Sequence, residues 1–215
     1  MTHARRGLLS AIALTLAAGP TLSAPTVLPG LSDADAQDVV RAVANLEHLT
    51  TVKWRFTQTD SRGGRLSGSL ILQRPGKARF DYDQPSGLVV VSDGHSVVVV
   101  DRRLKTIRAY PLGMTPLGLL LNRNIRFDRG VRVESVEHQG GELAIVAVEA
   151  KHRNRGSIAL RFETAPFALD GWTLTDGRGV KVKVDLSDLK HIAPQDPATF
   201  KLADPRPPPE RASAG

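Results

Sequence analysis

The sequence predicts a mainly β fold: a large antiparallel sheet, barrel or half-barrel of about eleven strands, accompanied by two to three helices. Three features lead there. An amphipathic segment over 33–49 gives way directly to apolar–polar alternation, a change of period from 3.6 to 2. Short β-branched runs then follow one another as far as residue 186, punctuated by glycine-containing turns. One leucine-rich stretch at 115–121 interrupts that rhythm.

Taken in order, Ser32-Asp33-Ala34-Asp35 sets an N-cap serine three residues before a carboxylate, and the acidic side chains complement the positive end of a helix. Ala36, Val39, Val40, Val43 and Leu46 then recur at helical spacing, with Asp38, Arg41, Asn45 and Glu47 on the other side. Val52, Trp54 and Phe56 alternate with Lys53, Arg55 and Thr57, as in a strand with one wet face. Further strands are expected at 65–73, 78–83, 88–92, 97–101 and 107–112, then at 131–138, 143–149, 157–162, 169–175 and 180–186. Asp93-Gly94, Gly140-Gly141 and Asn154-Arg155-Gly156 supply turns between them. At Thr115-Pro116-Leu117 a threonine cap and a proline at the first helical position begin a short second helix.

The chain has 215 residues, enough to bury a sizeable core, and it contains no cysteine. A disulfide framework, thiol catalysis and cysteine-ligated metals are therefore excluded. Six histidines show no metal-ligand spacing, and there is no nucleophile elbow, phosphate loop or dinucleotide fingerprint. The neighbours His95 and Ser96 fall in a hairpin turn, where adjacency does not make a triad. Neither an enzyme, a metal nor a cofactor is expected. The formal charge is +7, yet no nucleic-acid-binding motif accompanies it. The excess is read as solubility and attraction to anionic headgroups.

Arg5 and Arg6 precede an apolar run over 7–19 that ends in small residues, the layout of a secretory signal peptide over 1–24. The run falls short of the roughly 20 residues of a membrane-spanning helix. Export, through the Sec route, to the periplasm is expected. No linker divides the remainder, so one domain over 32–203 is expected, followed by a proline-rich unstructured tail over 204–215.

An ordered series of motifs carries a resemblance. It runs through Phe56-Thr57-Gln58, Leu72-Gln73-Arg74-Pro75-Gly76, Arg79-Phe80-Asp81-Tyr82-Asp83, Val91-Ser92-Asp93-Gly94, Thr115-Pro116-Leu117 and Leu169-Asp170-Gly171-Trp172. The sequence resembles the outer-membrane lipoprotein carrier proteins, the LolA family. The resemblance implies an incomplete antiparallel barrel capped by a helical lid. It also implies a non-enzymatic periplasmic chaperone, acting as a monomer. Such a chaperone takes triacylated lipoproteins from an inner-membrane lipoprotein-releasing ABC transporter to an outer-membrane acceptor. A related half-barrel module that binds or senses another lipid, or exposed lipoprotein segments, is the alternative.

By the same resemblance an acyl-chain cavity would be lined by Val52, Trp54, Phe56, Leu70, Leu72, Phe80, Tyr82, Val89 and Val91. Val39, Val40, Val43, Leu46, Leu117, Leu119 and Leu120 would form the lid, and Arg74 would lock it by hydrogen bonds to lid backbone. The sequence departs from the family pattern at Ala78, where familiar members carry a bulky apolar residue that engages the transporter, and in its short proline-rich C-terminus.

Overall fold

A computed structural model describes residues 30–202 except 116, 124, 126, 128 and 129; the side chain of Arg155 is also left undescribed. The expected signal peptide over 1–24, the tail over 204–215 and Pro116 lie outside the described residues.

Helix α1 (Asp33–His48) starts where the capping pattern places it. Asp35 donates its backbone N–H to Ser32 Oγ at 3.1 Å, and the hydroxyl donates in turn to the Asp35 carboxylate at 2.7 Å. Ser32→Ala is expected to lower stability by about 1 kcal/mol, measured by urea unfolding. A loss below a few tenths would mean that the cap contributes nothing. Val39, Ala42 and Leu46 form the buried stripe of α1.

Eleven strands follow: β1 (Thr51–Asp60), β2 (Arg65–Gln73), β3 (Lys77–Tyr82), β4 (Leu88–Asp93), β5 (Ser96–Asp101), β6 (Thr106–Pro111), β7 (Val131–Gln139), β8 (Glu142–Glu149), β9 (Gly156–Thr164), β10 (Phe167–Asp176) and β11 (Lys181–His191). Between β6 and β7 lie a 3₁₀ turn at Leu112–Met114 and helix α2 (Leu117–Leu121). The Thr115 hydroxyl donates to Leu112 O at 2.8 Å and fastens the 3₁₀ turn.

The strands form one open antiparallel sheet in the order β6-β5-β4-β3-β2-β1-β11-β10-β9-β8-β7. Every neighbouring pair except β1–β11 is also consecutive in sequence, so two meanders of hairpins meet at that ladder, where Phe56 faces Leu186. The free edges, β6 and β7, are consecutive in the chain and are bridged by the segment that carries α2.

Because side chains alternate across a strand, the register assigns each one to a face. Trp54, Leu70, Phe80 and Val90 stand in one cross-strand row on the inner face, against the helices. On the far half Trp172, Leu160 and Ile145 continue that face in register. On the outer face Arg161 donates to Val184 O at 3.0 Å and to Asp185 at 2.5 Å, tying β9 across β10 to β11.

Candidate functional site

The site grows from the inner face and what covers it. Val52, Trp54 and Phe56 of β1, Leu70 and Leu72 of β2, and Phe80 of β3 are buried in one apolar cluster, with Tyr82 packed against it. Phe56 lies edge-on to Phe80 at 5.5 Å and to Tyr82 at 5.0 Å, while Phe80 meets Trp172 at 6.4 Å. The aromatic row thus crosses from the first meander to the second. Opposed ring edges and faces suit these contacts and favour a defined packing over a fluid one.

Val89 and Val91 are corrected by the register. Val90 pairs with Phe80 and faces inward, whereas Val89 and Val91 pair with Asp81 and Arg79 on the outer face. There they pack with Ile71 and with Phe200 of the 3₁₀ turn Pro197–Phe200. A shift of one residue exchanges the faces.

The lid residues divide in a similar way. Val39 and Leu46 of α1 and Leu120 of α2 are buried in the inner cluster, with Val43, Leu117 and Leu119 packed against it. Val40 is the exception, at 54% exposed on the solvent side of α1. Helix α1 is held over the second meander: Asn45 Nδ2 donates to Phe167 O at 3.2 Å, and the Arg41 guanidinium lies 3.9 Å from the centre of the Phe167 ring.

Arg74, in the turn between β2 and β3, joins the two helices. Its Nη1 donates to Leu46 O in the last turn of α1, and its Nη2 donates to Asn122 O just beyond α2 at 2.8 Å. Leu46 O also accepts from Leu49 N at 3.1 Å, so Arg74 takes its second lone pair, and one guanidinium serves carbonyls at the ends of both helical segments. Burial draws the Arg74 pKa below its ordinary value, opposed by the Glu47 charge. Gly76 N donates to Leu121 O at 2.8 Å, a second tie between the same turn and α2.

A pocket of about 360 Å³ opens at the lid seam. Leu112, Met114 and Leu119 line one side, with Val131, Ala147 and Ile158 on the other. None of the nine residues expected to line a cavity borders it; those on the inner face are covered by lid side chains. The arrangement can do two things chemically. It hides an apolar face, and it offers an entry where two sheet edges do not pair.

Comparison with known proteins now bears on this geometry. The family model of the outer membrane lipoprotein carrier protein LolA matches residues 47–203. The chain belongs to the LolA family. An outer-membrane lipoprotein carrier protein from Chromobacterium violaceum is 28% identical over 87% of this chain and 94% of that protein. One from Chromohalobacter salexigens is 29% identical over 88% and 92%. Among solved structures, a LolA superfamily protein from Nitrosomonas europaea aligns with a TM-score of 0.43 at 9% identity, covering 76% of this chain and 97% of that one.

The LolA-family match begins inside α1, so the buried stripe of that helix, Val39, Ala42 and Leu46, lies outside the matched residues. Ala78 is 1% exposed and pairs with Leu72 on the inner face, so its side chain presents nothing to a partner at the surface. Residues that the sequence reasoning missed include Ile145, Leu160, Phe162 and Trp172 in the second meander, and Leu121, Ile125 and Phe127 in the lid segment. Apolar alternation in 143–149, 157–162 and 169–175 is the available signal for the first group; in the second, Leu121 ends the leucine run of α2, while Ile125 and Phe127 follow it where no periodicity marks a face.

Tyr82 gives the inner face a measurable pH response. Its hydroxyl donates to Gln58 Oε1 at 2.7 Å, and burial pushes the phenol up to about 12. The folded chain therefore keeps this proton after the unfolded chain has released it near pH 10. The Tyr82 contribution is complete below pH 10 and declines as pH rises through about 12. Tyr82→Phe is expected to remove that part of the decline, about 2–3 kcal/mol at its limit. Identical stability–pH curves for the two proteins between pH 9 and 11.5 would refute it.

Proposed function

We propose that this protein is a periplasmic, non-catalytic carrier of lipoproteins, which shelters their acyl chains on the inner face of the sheet beneath α1 and α2. The observation that carries the reading is Arg74, whose two donors hold the carbonyl ends of both covering helices while an apolar sheet face lies beneath them. Acyl chains entering at the seam take over the lid's apolar contacts. Burial favours them by about 0.8 kcal/mol per methylene, so uptake needs no cofactor.

In this reading residues 1–24 direct export through Sec, and residues 32–203 act as one carrier domain. Triacylated lipoproteins arrive from an inner-membrane lipoprotein-releasing ABC transporter and leave to an outer-membrane acceptor. Release requires that the acceptor offer acyl chains a more favourable site, since a ligand moves only toward the state it binds better. The names of the curated relatives, outer-membrane lipoprotein carrier proteins, support the cargo class. Ala78 supplies no exposed apolar contact for the transporter, so that encounter has to use other residues.

Native mass spectrometry of the protein isolated from the periplasm tests this reading. Lipoproteins bound through their acyl chains are expected, and depletion of the protein is expected to strand lipoproteins in the inner membrane. Recovery of free lipid alone, with lipoprotein sorting intact, would replace the carrier with a module for another lipid.

A further inference from the structure

The hairpin order of the sheet divides its loops between two rims. The end of α1, the Arg74 turn and α2 occupy one rim, while the β1–β2, β3–β4, β5–β6, β8–β9 and β10–β11 connections share the other. Three of these five connections present an exposed large apolar side chain beside basic residues. Leu104, 72% exposed at the β5–β6 tip, follows Arg102 and Arg103 and precedes Lys105. Leu66, 36% exposed, follows Arg65 at the start of β2. Val180, 46% exposed, sits between Arg178 and Lys181 across the β10–β11 turn.

Asp60, Asp101 and Asp176 on this rim are turned inward on their own loops. Asp60 accepts from the backbone N–H groups of Arg62 and Gly64, each at 2.8 Å. Asp101 accepts from those of Arg103 and Leu104 at 2.9 Å, and Asp176 accepts from Arg178 and Val180 in the same manner. Asp83 is engaged by Arg55. No ion pair reaches Arg65, Arg102 or Lys105 among the described residues, so the outward field of the rim is positive. The β5–β6 tip is also fixed in place. Arg103 Nη1 donates to Pro85 O at 3.2 Å, and Arg102 N donates to Gly87 O at 3.1 Å.

We propose that this rim docks reversibly on an anionic phospholipid bilayer, with Leu104 leading into the interface and Arg102, Lys105 and Arg65 facing the headgroups. Separate apolar tips of this size cannot form the continuous buried patch of a stable protein interface. They suit shallow insertion, where a small apolar contact and several cations act together. The five connections carry no Phe, Tyr or Trp on which bases could stack, which argues against nucleic acid. Docking by this rim leaves Arg74 and the lid ends on the opposite rim unobstructed.

Flotation of the purified protein with vesicles of equal parts phosphatidylglycerol and phosphatidylcholine tests the proposal. Binding is expected at low salt, weaker at high salt and absent on pure phosphatidylcholine. Arg102→Glu with Lys105→Glu is expected to weaken it at least about tenfold. The same charge change at Lys190→Glu with Lys201→Glu, away from the rim, should leave binding near the original level. Because the chain has no cysteine, Leu104→Cys carries a polarity-sensitive dye at one position only, and its emission should shift to the blue on vesicles. Absence of binding, an equal loss in the two charge variants, or an unshifted dye would overturn the proposal. Unchanged thermal melting of each variant separates these outcomes from misfolding.

Discussion

Arg74→Leu is expected to leave a folded protein that takes up cargo and fails to release it. The side chain donates to Leu46 O and to Asn122 O, so the closed lid loses both contacts at once. Hydrogen bonds from a charged donor contribute about 1.5–3 kcal/mol each. With partial exposure discounted, a shift of about 2 kcal/mol toward the open lid changes the closed-to-open ratio roughly thirtyfold. In the proposed carrier reading the open form binds acyl chains, so the variant should retain lipoprotein through purification and transfer it slowly to an acceptor. Hydrogen exchange at the end of α1 and around Leu121 should accelerate. Unchanged release together with unchanged exchange would sink the latch.

Phe56→Ala is expected to cost about 3–5 kcal/mol, read from the midpoint of urea unfolding. Phe56 is buried, lies edge-on to Phe80 and Tyr82, and pairs across the ladder with Gly68. That glycine is part of the reason the ring fits. A Cβ there would stand 2.7 Å from the Phe56 ring and 2.3 Å from Asp81 O, so the neighbouring chain cannot fill the space left by alanine without backbone movement. A cost below about 1 kcal/mol would mean that the inner face repacks freely.

Where the pattern of side chains changed sharply, the sequence was informative. The Ser32 cap, the period change at residue 50 and the turn glycines place α1 and the strands close to where they lie. Faces were legible where polar residues alternate, as along Val52, Trp54 and Phe56. They were illegible in Leu88-Val89-Val90-Val91, where consecutive apolar residues fit either face. There the choice rests on Phe200, which arrives from the far end of the chain to cover the outer side. Val40 misled for a related reason: its spacing fits the apolar stripe of α1, but the sheet covers only the side holding Val39, Ala42 and Leu46. Arg74 was legible only through its family motif, because the two carbonyls it serves are distant in sequence.

The single junction between the two meanders also bears on how the chain reaches this structure. Every ladder but one joins strands that are neighbours in sequence, while β1–β11 sets Val52 against His191. Local pairings close at small entropic cost, whereas a distant one must wait for chain ends to meet. Each meander can therefore assemble by itself, and zippering of β1 to β11 becomes the slow event that commits the two halves to one sheet. Pulse-labelled hydrogen exchange during refolding should find the β1–β11 amides protected last; early protection there would reverse the order.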